Sequence, residues 1–191
     1  INIDLHFCRW KNRLYMNLIR EINYPLLLLS EKYDLYYHFI HNIDLLEIEQ
    51  PKKNAILLHI FVELQNKEKI IKLAKTLMYE YKIYEQYNNI YLLTNMILDS
   101  GIFYENIFYI INLRIEWLIA AYHIGISGED TDFYEKFSIL QSEIKNYLEQ
   151  YDRINMKMNL LLGKFYYISS LIHLTNSNYR EMQRDIDLGL G

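Results

Sequence analysis

The stretch from Gly163 to Gly189, GKFYYISSLIHLTNSNYREMQRDIDLG, decides the fold class. Apolar residues recur three and four apart at Phe165, Ile168, Leu171, Ile172 and Leu174, which is the helical period. Thr175-Asn176-Ser177-Asn178 then interrupts it with side chains that bond their own backbone in competition with a helix ladder. A second helix restarts at Tyr179 and is expected to turn Met182, Ile186 and Leu190 back toward the first. Such a hairpin exposes an apolar face that it cannot bury alone, so neighbours of the same shape are expected to stack on it.

Similar turn-then-aromatic signals occur at Lys82-Ile83-Tyr84 and from Gly128 to Phe133, with a fainter one from Ser30 to Tyr36. Tyr84, Phe133 and Tyr179 are separated by steps of 49 and 46 residues. That step exceeds the roughly 34 residues of a standard tetratricopeptide (TPR) unit, yet each unit still reads as a helical hairpin. The expected fold is all-α: a TPR-like right-handed stack of about four irregular hairpins. It forms one helical-repeat domain over residues 1–191, in which residues 1–24 are an N-terminal linker helix.

Around that frame, Leu5 to Ile22 has helical periodicity that Pro25 stops, and Leu26 to Leu29 reads as a buried helical turn. A helix over Asp34 to Glu49 is followed by another that starts at Gln50-Pro51, where a missing N–H at the first helical position is harmless. Its apolar series Ala55, Leu58, Val62, Leu64 runs to Asn66. Amphipathic helices are expected over Glu68–Tyr81 and Glu85–Leu98, the latter closed by a glycine cap at Gly101. Ile102 to Ile126 carries only Glu105, Arg114 and Glu116 as charges and is expected to be buried on most sides. Asp132 to Tyr151, capped by Asp130 or Thr131, has Phe133, Phe137, Leu140, Ile144 and Leu148 on one face.

Half of the 191 residues are hydrophobic, and two prolines and six glycines interrupt them, a composition that folds. The net charge of −4 lacks the basic footprint of a nucleic-acid surface. The one cysteine, Cys8, rules out an internal disulfide and reads as a small apolar filler, which suits a cytoplasmic location. No apolar run is long enough to span a membrane and no signal peptide is recognisable, so no membrane partner is expected. A first residue other than Met, and an end at Gly191 just after a helix, point to part of a longer polypeptide.

Of six histidines only His38 and His41 sit at helix-neighbour spacing, and neither a paired CxxC nor an HExxH accompanies them. No metal and no cofactor is expected. Arginine and histidine nowhere take the four-to-six-residue spacing of helical HEPN-type ribonucleases. The glycines form neither GxGxxG nor GxxxxGK[ST], and no GxSxG turn occurs. An enzyme is therefore not expected.

Asparagine on apolar helix faces is the feature that points to binding. Asn88, Tyr91, Asn95 and Leu98 form one stripe, Asn155, Asn159, Gly163 and Tyr166 a second, and Asn112 lies on a third, near Arg114. An amide donates and accepts, so it can pair with the N–H and C=O of an extended peptide without demanding a particular side chain. With 17 asparagines in the chain, hydrogen bonding between helices is the simpler explanation of such stripes. The candidate peptide-binding residues are Asn88, Tyr91, Asn95, Asn112, Arg114, Asn155, Asn159 and Tyr166, with Arg114 placed to meet a peptide carboxylate.

The segment Leu73 to Leu98, LAKTLMYEYKIYEQYNNIYLLTNMIL, resembles the C-terminal domain of Rgg-type regulators. These belong to the peptide-sensing family that includes PlcR and the Rap proteins. The resemblance rests on an LA-led helix, a Tyr-rich turn and a helix ending Leu92-Leu93-Thr94-Asn95; Trp117–Leu148 and Leu162–Leu188 are similar to later repeats. It implies a cytoplasmic, homodimeric receptor for a short hydrophobic peptide in bacterial quorum sensing, acting on transcription through a helix-turn-helix domain that is not in this chain. DNA would be a partner only through that domain. Glu116 stands where the family commonly has asparagine. A protein–protein interaction scaffold and a phage lysis-lysogeny peptide receptor are the alternatives. Far-UV circular dichroism is expected to give a helical spectrum, and a substantial β component would overturn the fold class.

Overall fold

The computed structural model describes residues 36–37, 40–45, 47–126, 131–150 and 156–190. The helix expected over Leu5–Ile22, the turn at Leu26–Leu29, Cys8 and Asn155 lie outside them. The described residues are helical throughout, with no strand among them. Seven α-helices follow a 3-10 turn at Ile43–Leu45: α1 (Gln50–Glu63), α2 (Lys67–Ile83), α3 (Tyr87–Asp99), α4 (Ile107–His123), α5 (Thr131–Gln150), α6 (Met156–Thr175) and α7 (Tyr179–Leu190). The chain divides into two compact units, Ile1–Glu80 and Tyr81–Gly191.

In the first unit the helix expected to run to Glu49 stops early. Its described part gives way to the 3-10 turn at Ile43, and α1 begins afresh at Gln50 with Pro51 in its first turn. Tyr36, Ile43 and Ile60 form a small core there, flanked by Ile48, Ile56 and Leu64. Asn66 opens α2 by accepting from the Lys69 backbone N–H at 3.1 Å, which satisfies an otherwise orphan donor of the first turn.

The second unit is built around α4. Ile111, Leu113, Ile115, Leu118 and Ala121 are all fully buried, so the helix is apolar around most of its circumference and needs neighbours on every side. It is shorter than the apolar run suggested. Gly101 takes φ +67° after α3, and Asn106 caps α4 by accepting from the Tyr109 N–H at 3.1 Å, so Ile102–Glu105 form a turn. α4 packs against α3, α5 and α6. Phe133, Phe137, Leu140 and Ile144 of α5 and Met158, Phe165, Ile168 and Ile172 of α6 complete the core.

One carboxylate interrupts that core. Glu116 of α4 is 4% exposed, with Lys82 at the end of α2 2.6 Å from Oε2 and Lys164 of α6 3.6 Å from Oε1. Both ammonium groups reach in from the surface along apolar stems, so the buried charge is met by two cations that remain largely hydrated.

The α6–α7 hairpin closes the unit, with its turn where the Asn-Ser-Asn sequence places it. Ser177 takes the left-handed conformation, φ 59°, and Asn176 donates to the Tyr134 hydroxyl at 2.7 Å. Phe165, Ile168 and Ile172 are buried as expected, but α7 is rotated from the expected face. Ile186 is partly exposed, and Asp185 is the residue that turns inward, at 2% exposure. Ser169 Oγ donates to Asp185 Oδ2 at 2.5 Å, and His173 Nε2 lies 3.6 Å from the same oxygen. Gly189 lets the helices approach: a Cβ there would meet Tyr166 Cβ at 3.2 Å. Ser169→Ala removes a donor from a buried carboxylate and is expected to lower unfolding free energy by about 1 to 3 kcal/mol in urea titration.

Candidate functional site

Arg114 and Trp117 are three residues apart on α4 and so project from one side of it. Asn95, Leu98 and Asp99 at the end of α3 and Asp132, Glu135, Lys136 and Ile139 at the start of α5 form stripes of the same spacing. Together with Tyr104 these residues enclose an open cleft of about 380 Å³.

The floor is Trp117, 2% exposed, with the rings of Tyr91 and Phe133 at centroid distances of 5.9 and 5.6 Å. Its indole N–H is buried and has no hydrogen-bond acceptor among the described residues. Such a donor is costly to leave unpaired, by about 1 to 3 kcal/mol, so it invites an acceptor from a ligand. Asn95 stands in the wall, half-buried, and its amide makes no hydrogen bond to the described residues.

The charges around this floor are partly paired. Lys136 Nζ lies 5.5 Å above the Trp117 ring and 2.9 Å from Asp132. Burial acts to lower its pKa, but the hydrogen bond and charge of Asp132, with Tyr91 and Asp99 behind them, hold it above the usual lysine value. Arg114 Nε sits 3.1 Å from Glu143 Oε2 without hydrogen-bond alignment. Burial raises the Glu143 carboxyl, and the Arg114 charge opposes that rise. Asp99 and Glu135 have no ion-pair partner among the described residues.

The sequence candidates are thus dispersed. Asn95 and Arg114 line one cleft, and Tyr91 supports it from behind Trp117. Asn88 is exposed at the start of α3, Asn112 is half-buried on α4 outside the lining, and Asn159 is exposed on α6. Asn159 is not among the residues that line the cleft holding Asn95. Tyr166 lines a second cleft, of about 560 Å³, between α5, α6 and α7. Its phenol is raised in pKa by burial and then by Asp185, with Arg184 opposing. None of Asn88, Asn95, Asn112 and Asn159 bridges helices through its side chain among the described residues. Trp117, Asp99 and Lys136 were not singled out from sequence. The three-residue step from Arg114 to Trp117 was legible, whereas the approach of α5 to α3 was not.

The arrangement offers an aromatic floor, an unpaired N–H donor, an amide and a charged rim. Ser169, His173 and Asp185 are residue types of a hydrolytic triad in the wrong order. The serine hydroxyl donates directly to the carboxylate, so no imidazole receives its proton. Among the described residues no three His, Cys, Asp or Glu side chains are grouped to hold a metal ion, and no helix is long and apolar enough to cross a membrane. No family model, curated protein or solved structure matches the chain.

Because folding raises the Glu143 pKa, it favours the protonated acid. That contribution is fully present below the ordinary glutamate value of 4.5 and is lost as pH rises through the higher folded-state value. Glu143→Gln is therefore expected to gain stability relative to the wild type as pH rises above 4.5, measured by thermal melts across pH. A difference that stays constant with pH would contradict the raised carboxyl.

Proposed function

We propose that this chain is the ligand-sensing domain of a peptide-responsive transcription regulator, and that it binds a short hydrophobic peptide, extended, in the cleft between α3, α4 and α5. The observation that carries the proposal is the pairing of two unsatisfied polar groups over one aromatic surface: the buried Trp117 N–H and the Asn95 amide. An extended backbone presents C=O and N–H groups at fixed intervals. One donor below and one donor-acceptor pair beside it are complementary to that backbone without reading a particular side chain. Leu98 and Ile139, on opposite walls, offer apolar contact to the peptide's own side chains.

The regulatory part of the proposal rests on the resemblance of Leu73–Leu98 and the later repeats to Rgg-type domains. DNA contact belongs in this scheme to a separate helix-turn-helix domain, and the last hairpin provides the homodimer surface. Ile186 of α7 is 37% exposed, which favours that location.

Asn95→Ala is expected to weaken binding of a short hydrophobic peptide by about 1 to 3 kcal/mol in calorimetry while leaving the melting temperature nearly unchanged. Trp117→Phe keeps most of the aromatic surface but loses the N–H, and is expected to weaken binding similarly. If both variants lower stability and leave affinity where it was, the cleft is a packing feature and the proposal fails.

A further inference from the structure

The second cleft repeats the first, element by element. In the first, α3 contributes Asn95, Leu98 and Asp99; in the second, α5 contributes Gln141, Ile144 and Lys145 at the same three- and four-residue spacing. The opposite wall repeats too: Glu135, Lys136 and Ile139 of α5 correspond to Arg184, Asp185 and Leu188 of α7. Trp117 of α4 in the first cleft corresponds to Tyr166 of α6 in the second.

What is kept and what is changed differ by chemistry. The amide, both aliphatic positions and the aromatic position are retained in kind. The three charged positions that match are reversed, Asp99 to Lys145, Glu135 to Arg184 and Lys136 to Asp185, whereas Arg114 and Asp132 of the first cleft and Glu149 of the second have no counterpart in the other lining. The first cleft therefore has acids on both of its walls, Asp99 and Glu135, and neither has an ion-pair partner among the described residues. In the second, the same places hold Lys145 and Arg184. Lys145 is held by an exposed contact to Glu149 at 3.9 Å, and Arg184 by Glu181 at 2.7 Å and, more loosely, by the buried Asp185 at 3.7 Å. Exposed pairs of this kind contribute little and exchange readily for another anion. Asp185, the one acid among the three, is committed inward to Ser169.

We infer that the two clefts form one bipolar site, in which Asp99 and Glu135 take the free amino end of a short peptide and Lys145 and Arg184 take its free carboxylate. This rests on the peptide-binding function proposed above and gives the ligand a direction and a length. α5 is the wall shared by both clefts. Glu135 and Lys145 are ten residues apart on it, so about 15 Å of helix separates the two charged positions. Extended chain covers roughly 3.3 Å per residue. Allowing for side-chain reach, the site fits a peptide of about five to seven residues crossing α5. The direction also reassigns the carboxylate partner: Arg114 is engaged with Glu143, whereas Lys145 and Arg184 stand on the surface.

The test uses a library of hexapeptides composed of Leu, Ile, Val, Phe and Ala in three forms: free termini, N-acetylated, and C-amidated. Binding is read by calorimetry with the full chain. Acetylation and amidation are each expected to weaken binding about tenfold, as for loss of one charge-assisted contact. Asp99→Asn combined with Glu135→Gln is expected to abolish the sensitivity to acetylation and keep that to amidation. Lys145→Gln combined with Arg184→Gln is expected to do the reverse. All four side chains lie at the surface, and thermal melts of each variant confirm folding. Blocked peptides that bind within twofold of free ones overturn the bipolar site but leave peptide binding intact, as do sensitivities that follow the opposite pair of variants. Absence of binding by all three forms removes peptide binding itself. A dimer that dissociates on Asp99→Asn and Glu135→Gln, with no peptide bound by any form, assigns the charged walls to a second copy of the chain.

Discussion

The second unit depends on the need to cover α4. A helix with Ile111, Leu113, Ile115, Leu118 and Ala121 all out of water has no face left for solvent, so it is stable only when other helices surround it. α3, α5 and α6 do so, and their positions follow from that demand rather than from polar contacts. The aromatic rings of Trp117, Phe133, Phe137 and Phe165 run through this core with centroids 5.6 to 6.2 Å apart. Offset arrays of this kind add to the area they bury and fix how the helices are rotated.

Within this apolar frame the polar groups divide into those the fold uses and those it leaves open. Glu116 is buried but met by two lysines, and Asp185 is buried but bonded to Ser169, so both act as clamps between helices. Removing one partner from such a group is more damaging than never having had the pair, because the remaining charge is stranded. The Trp117 N–H and the amide of Asn95 have no such partner, and both lie in the same cleft. The proposed binding is placed in that cleft because a buried unpaired donor and an unpaired amide stand there beside one aromatic surface.

The cleft between α3 and α5 has a counterpart between α5 and α7. Each cleft lies between successive helices of the series α3, α5, α7, floored by the helix between them. Both are lined by an amide, aliphatic and aromatic positions at matching spacing. Charges at the rim contribute little to the fold and are free to differ, so they can be reversed without disturbing the core.

Most of the helices, the α6–α7 hairpin with its turn and most of the core were legible in the sequence, because each is a local property. Helical period, the Asn-rich turn before Tyr179, Pro51 at a helix start and Gly101 after α3 all act within a few residues. Amino-acid order also marked Asn95, Arg114 and Tyr166 as groups worth placing. It could not say that Asp185 rather than Ile186 turns inward, since α7 is rotated by a hydrogen bond to a different helix. Nor could it say that Asn159 stands apart from Asn95. Which side chains share a cleft depends on the rotation and axial offset of separate helices, and these are set by how large rings such as Trp117 and Phe137 interlock across the core. Periodicity within one helix carries no record of that fit, so the tertiary structure alone decided which amides, aromatics and charges meet.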